Sequence, residues 1–125
     1  MPEAERTRFI DNDGQRVILI DASGVTDIAL GVRVLEHARE FIARLQPDGS
    51  HFTLIDTTGA RYAKESVEAA KALTVHNRPF VKAAAAVSDS TLHRVAVKMV
   101  AMFSKRRIEA FESRESALAW LATQR

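Results

Sequence analysis

Three times along the chain an apolar, strand-like run ends at an acidic residue beside small hydroxyl residues, and each time a segment with helical spacing follows. The stops are Asp21-Ala22-Ser23-Gly24, Asp56-Thr57-Thr58-Gly59 and Ser88-Asp89-Ser90-Thr91. Such strand-then-helix repetition restricts the chain to an α/β architecture, in which successive strands run parallel and are joined by right-handed crossovers. It also directs attention to one edge, because in open α/β sheets ligands and partners meet the protein at the carboxyl ends of the strands.

Residues 1–6 are polar and expected to fray. Thr7 to Asp11 and Arg16 to Asp21 read as two short strands around Asn12-Asp13-Gly14, whose Asp-Gly pair signals a hairpin. From Asp27 to Leu45 the residues Ile28, Val32, Leu35, Ile42 and Leu45 recur at helical spacing, with Thr26 or Asp27 placed to cap the first turn. Residues 51–56 make a third strand. A second helix is predicted from Lys64 to His76 with Val67, Ala70 and Leu73 inward, ending before Pro79, whose ring disfavours helix in the preceding residue. Phe80 to Val87 reads as a fourth strand even though its four consecutive alanines, 83–86, favour helix by propensity. Pro79 before the run and Ser88-Asp89-Ser90 after it set a length suited to a strand buried under helices. Leu92 to Phe103 is a third helix, Ile108 to Phe111 a last strand, and Ser113 to Leu121 a closing helix with Leu118 and Leu121 inward. The predicted order, ββαβαβαβα, fills all 125 residues as one α/β domain, with a mixed, mostly parallel sheet that opens on an N-terminal hairpin.

Composition narrows what such a domain does. With 46% apolar residues there is enough to bury a single core, and the absence of cysteine excludes disulfides, thiolate metal sites and a cysteine nucleophile together. No segment approaches the ~20 apolar residues that cross a bilayer, and the N-terminus does not resemble a signal peptide, so a soluble, cytoplasmic protein is expected. Eighteen basic against sixteen acidic side chains leave a formal charge of +2, too small for the overall field to recruit nucleic acid. Trp120 and Tyr62 offer no stacking platform for single strands. There is no Walker loop, glycine-rich dinucleotide turn, Gly-x-Ser-x-Gly elbow or His-Glu-x-x-His, and His37, His51, His76 and His93 are too widely spaced for a metal helix. The expectation is a protein without catalytic residues, metal or cofactor.

The element order, the length and several short stretches resemble the STAS superfamily, the fold of the bacterial anti-sigma factor antagonists, and more closely the small bacterial SpoIIAA-like proteins also labelled STAS/SEC14. The stretches are Val17-Ile18-Leu19-Ile20-Asp21-Ala22-Ser23-Gly24, Phe52-Thr53-Leu54-Ile55-Asp56, Asn77-Arg78-Pro79-Phe80-Val81-Lys82-Ala83, Phe103-Ser104 and Ala117-Leu118-Ala119-Trp120-Leu121. Together they span nearly the whole chain. The resemblance implies a non-catalytic, protein–protein regulatory module. Anti-sigma factor antagonists carry a phosphorylatable serine in an Asp-Ser-Ser-Gly type motif at the start of the helix after the third strand. Asp56-Thr57-Thr58-Gly59 is similar in composition but finishes the strand itself, and Tyr62-Ala63-Lys64-Glu65-Ser66, in the matching place, lacks the Asp and Gly. Thr57, Thr58 and Ser66 are the candidate phosphoacceptors under that resemblance, against turn chemistry in which the same side chains bond nearby backbone amides.

The residues expected to form a binding edge are Asp21, Ser23, Asp56, Thr57, Thr58, Ser88, Asp89 and Ser90. Their amides and hydroxyls beside helix N-termini would suit a small anion or phosphorylated group, but helix capping accounts for them as well, and the three carboxylates oppose an anion unless they point away or hold a cation. In the third helix Leu92, Ala96, Met99 and Phe103 share one wheel face, while Arg94, Lys98 and Lys105 align opposite as a possible anion ridge or a merely solvated face. Self-association through the edge strand or this helix is a further possibility. The rival to a protein-binding module is a small-ligand or lipid carrier, which the SEC14 label implies and which would require a cavity bordered by residues such as Phe41, Leu54, Val87 and Phe103.

Overall fold

The computed structural model describes residues 2–125, apart from the side chains of Val100, Phe103 and Ser104. Its elements follow the predicted order: β1 (Thr7–Asn12), β2 (Gln15–Asp21), α1 (Ile28–Ala43), β3 (His51–Asp56), α2 (Lys64–Asn77), β4 (Val81–Val87), α3 (Thr91–Ser104), β5 (Ile108–Phe111) and α4 (Arg114–Ala122). The first two strands are antiparallel because Asp13 and Gly14 both take left-handed backbone angles, φ 51° and 83°, the twist that a two-residue hairpin loop needs. The remaining pairs are all parallel, and strand order in the sheet equals order in the chain.

That simple order decides which face each helix covers. When parallel strands are added one after another in the same direction, every right-handed crossover places its helix on the same side of the sheet. The three crossovers α1, α2 and α3 therefore share one face, and α4, which follows the edge strand, covers the other. The core is split accordingly. Ile18 and Ile20 pack with Val34, Leu35, Ala38, Ile42 and Leu73 on the crossover side. Val17, Leu19, Leu54, Ala83, Ala85 and Val87 pack with Ala117 and Leu121 of α4 on the other. The alanine run is a strand, as its flanks require: a strand covered on both faces leaves little room beside it, and small side chains let the layers approach. α4 is fastened across the sheet to the opening hairpin, where Asn12 Nδ2 donates to the Leu118 carbonyl and Gln15 Nε2 to that of Leu121.

Four expectations are corrected. Residues 3–6, expected to fray, are tied down: residues 3–5 form a 3-10 turn, Glu3 pairs with Arg33 at 2.9 Å, and Arg6 donates to the Asp21 carbonyl. In α1 the buried residues are Val34, Leu35, Ala38 and Ile42, while Ile28, Val32 and Leu45 are half-buried, so the inward stripe is rotated toward Val34 and Ala38. In α2 the buried positions are Ser66, Leu73 and Asn77, and Val67 and Ala70 are exposed; two polar residues hydrogen-bonded at the helix ends disguise the inward stripe. The fourth concerns α3. Leu92, Ala96 and Met99 face solvent, and Arg94 is tucked inward against the Ser88 carbonyl. Periodicity locates an apolar stripe but not what the stripe meets. The Phe103 side chain lies outside the described residues.

Candidate functional site

β2 and β3 end at the same register position, Asp21 beside Asp56. Strand alternation turns both carboxylates toward α4, on the side of Val17, Leu19 and Leu54. Each closes its own turn: Asp21 Oδ1 accepts from Ser23 N and Oγ at 3.1 and 2.5 Å, and Asp56 Oδ1 from Thr58 N and Oγ1 at 3.0 and 2.7 Å. The remaining oxygens meet Arg114, the first residue of α4, whose Nε lies 2.5 Å from Asp56 Oδ2 and whose Nη2 lies 3.3 Å from Asp21 Oδ2. The cation that two adjacent carboxylates require is thus a side chain of the protein.

Burial works against ionisation of Asp21, but the hydrogen bonds from Ser23 and the Arg114 charge outweigh it and hold the carboxyl below the ordinary carboxylate range. Asp56 is held down in the same way, burial being overcome by Thr58 and Arg114. For Arg114, burial is outweighed by the two carboxylates, and its pKa is raised. Both acids have donors on each oxygen, and their surroundings favour the ionised form.

The third turn substitutes a hydroxyl for the carboxylate. Ser88 is buried and its Oγ accepts from Ser90 N, while the exposed Asp89 accepts from Gly59 N at 3.3 Å. Ser90 caps α3 by accepting from His93 N, as Asp27 caps α1 by accepting from Leu30 N. Of the candidate phosphoacceptors, Thr57 is buried and donates its hydroxyl to the Val87 carbonyl. Ser66 is buried with its Oγ accepting from Ala63 N, and Thr58 is exposed with its hydroxyl on Asp56. Arg94, Lys98 and Lys105 do not form one ridge. Arg94 reaches Ser88, Thr91 and Glu112, whereas Lys98 is exposed on α3 and Lys105 sits beyond the helix in a left-handed C-cap.

A second feature lies on the crossover face. α2 leans on α1 and α3 on β5, and between these two helices a mostly apolar cleft of about 200 Å³ reaches the sheet. Ala84, Ala86, Thr53 and Ile55 form its floor, and Val67, Ala70 and Val97 stand on its walls. The small residues of β4 make the room. At the strand carboxyl end Tyr62 stacks on His93 with ring centroids 4.3 Å apart, and burial pushes the His93 pKa down. At the opposite end Arg106 Nη1 donates to the Thr74 carbonyl of α2. None of Phe41, Leu54 and Val87, the expected cavity border, lines this cleft: Leu54 and Val87 belong to the core under α4, and Phe41 packs with Phe9 on the α1 side.

Reasoning from sequence missed Arg114, the Tyr62–His93 pair and Arg106. Only Arg114 had a signal there, since two Asp residues ending adjacent parallel strands demand a shared cation. The other two depend on where α3 lies.

A five-stranded sheet with three crossover helices on one face and a closing helix on the other is a SpoIIAA-type architecture, and comparison with known proteins agrees. The SpoIIAA-like family model matches residues 17–122, and the chain belongs to that family. No curated protein matches the chain. Among solved structures, it is similar to an uncharacterized DUF3478-family protein with a SpoIIAA-like fold from Shewanella loihica PV-4, at 16% identity and a TM-score of 0.68 over 92% of this chain and 91% of that one. That likeness concerns the fold. No helix among the described residues is long and apolar enough to cross a membrane.

Proposed function

We propose that the domain is a non-catalytic, protein-binding regulatory module whose docking surface is the α2–α3 side rather than the strand-end loops. The observation that supports this is the distribution of exposed apolar side chains. Tyr62, Val67, Val75, Leu92, Val95, Met99 and Met102, all the large apolar residues exposed among those described, lie on α2, on α3 or on the approach to α2. Leu92, Val75 and Met102 are 80, 75 and 79% accessible. Scattered single residues of this kind need no partner, but their gathering on the two helices that flank the cleft favours an interaction site. Leu92, Val95, Met99 and Met102 also follow the three-and-four spacing with which one helix packs against another. Asp21 and Asp56, by contrast, are engaged within the domain by Ser23, Thr58 and Arg114, which favours binding over catalysis.

The test is crosslinking in the cells of origin with the wild type and a Leu92→Asp, Met102→Asp variant. Because both side chains are already in water, the variant should unfold within ~0.5 kcal/mol of the wild type, yet lose its crosslinked partner. A partner retained by the variant would end the assignment of the surface. Loss of a self-crosslink instead would make the partner a second copy. A small-ligand carrier is the second reading, favoured by the apolar cleft between the same helices.

A further inference from the structure

We propose that the cleft between α2 and α3 binds a small apolar monocarboxylate, its hydrocarbon body on the Ala84–Ala86 floor and its carboxylate at Arg106. The inference rests on the carrier reading and adds the ligand's chemical class.

Size comes first. About 200 Å³ exceeds the ~150 Å³ of apolar cavities that accept benzene and falls short of the ~300 Å³ at which drug-sized sites begin. One short chain or a single ring with a substituent fits. The floor and walls offer such a body mostly methyl groups: Ala84, Ala86, Ile55 and Val97 present no hydrogen-bonding side chain, and Thr53 is the one hydroxyl on the floor. The path along the cleft follows the strands from Tyr62 and His93 to Arg106, and the span of α2 from Lys64 to Thr74 makes it about 15 Å long.

Charge decides the class. Arg106 is half-buried, and among the described residues no carboxylate forms an ion pair with it. A guanidinium has five N–H donors in a planar fork, and the Thr74 carbonyl takes one of its nitrogens. Burial and the nearby Arg78 charge push its pKa down, both of which a bound anion would offset. A carboxylate matches a single fork in shape and charge, whereas a phosphate dianion asks for more donors than one arginine supplies. Lys71, also on the cleft, adds positive charge on the α2 wall.

The experiment titrates octanoate and octanol, equal in length and differing in the head, into the whole protein while amide chemical shifts are recorded. Octanoate should bind about tenfold tighter than octanol, the scale of one charge-assisted hydrogen-bonded pair, with the largest shifts at Ala84, Ala86 and Val97. Arg106→Gln should remove the preference and leave octanol binding unchanged. Ala84→Leu, which fills the floor, should weaken both ligands at least tenfold. Equal affinities in the wild type, or an octanoate affinity unchanged by Arg106→Gln, would overturn the carboxylate while leaving a carrier standing. No binding of either ligand at millimolar concentration, or shifts confined to other surfaces, would overturn both.

Discussion

Replacing Arg114 with leucine would remove the one cation that lies between two carboxylates which are 4 and 5% accessible. At an effective dielectric of 20 a charge pair ~4 Å apart is worth about 4 kcal/mol, so two such pairs set a gross attraction near 8 kcal/mol. Desolvation of the three groups takes back most of it, and the Arg114 side chain is 39% accessible, so solvent screens its share. Deleting one partner of a fully buried pair costs about 3–5 kcal/mol, and with that discount a loss of about 2–3 kcal/mol is expected here. The Asp21 and Asp56 turns, held by Ser23 and Thr58, would survive with two like charges on strands only ~4.8 Å apart. For a domain of this size the loss corresponds to a fall in Tm of about 6–12 °C. Urea denaturation of wild type and Arg114→Leu at pH 7 and at pH 3.5 measures it. Both carboxyls have lowered folded pKa values, so their stabilisation is complete above the ordinary value near ~4 and is lost as pH falls through the lower folded values. The difference between wild type and variant should therefore shrink in acid. A variant within ~0.5 kcal/mol of the wild type at pH 7, or a difference that does not change with pH, would refute the clamp.

Other outcomes can be checked the same way. Burial lowers the His93 pKa, so stability should be constant above the ordinary histidine value of ~6.5 and decline as pH drops from there toward the lower folded value. In His93→Phe, which retains a ring against Tyr62, that decline between pH 7 and 5.5 should be absent from the urea midpoints. Gly31 lies within α1 at ordinary helical angles, and an added Cβ would meet Val25 Cγ1 at a comfortable 3.8 Å, so Gly31→Ala should raise stability by ~0.5–1 kcal/mol in thermal melts. Ala85, 1% accessible beneath α4, has no such space; Ala85→Leu should cost about 1–3 kcal/mol or more, in contrast with Ala84→Leu on the cleft floor.

The fold was legible because its punctuation is local. Asp13-Gly14 fixes the hairpin, Pro79 and Ser88 bracket the alanine strand, and Asp27, Ser90 and Ser113 cap the helices they precede. What a face touches is not local. The apolar stripe of α3 has the spacing of a core helix, and nothing in the order of its residues says that Leu92 and Met99 are left in water while Arg94 turns inward. Likewise Ser66 and Asn77 do not read as buried, because their partners, the Ala63 amide and the His76 ring, become evident only once the ends of α2 are in place. The strand-end loops were located correctly in space. Their chemistry was hidden because the arginine that answers Asp56 is 58 positions away.

The agreement between strand order and chain order also bears on how the molecule is made. Each strand after the first is laid beside one already synthesised, so the sheet and its crossover helices can grow from the N-terminus without waiting for distant sequence. The opposite face is different. Val17, Leu19 and Leu54 stay uncovered until α4 arrives, and the bonds that seat it, from Asn12 to Leu118 and from Gln15 to Leu121, each close a loop of 106 residues. A nascent chain that stops short of Ser113 would thus carry a nearly finished sheet with one greasy side open, the state most in need of a chaperone's shelter, and the last helix acts as the clasp that ends that exposure.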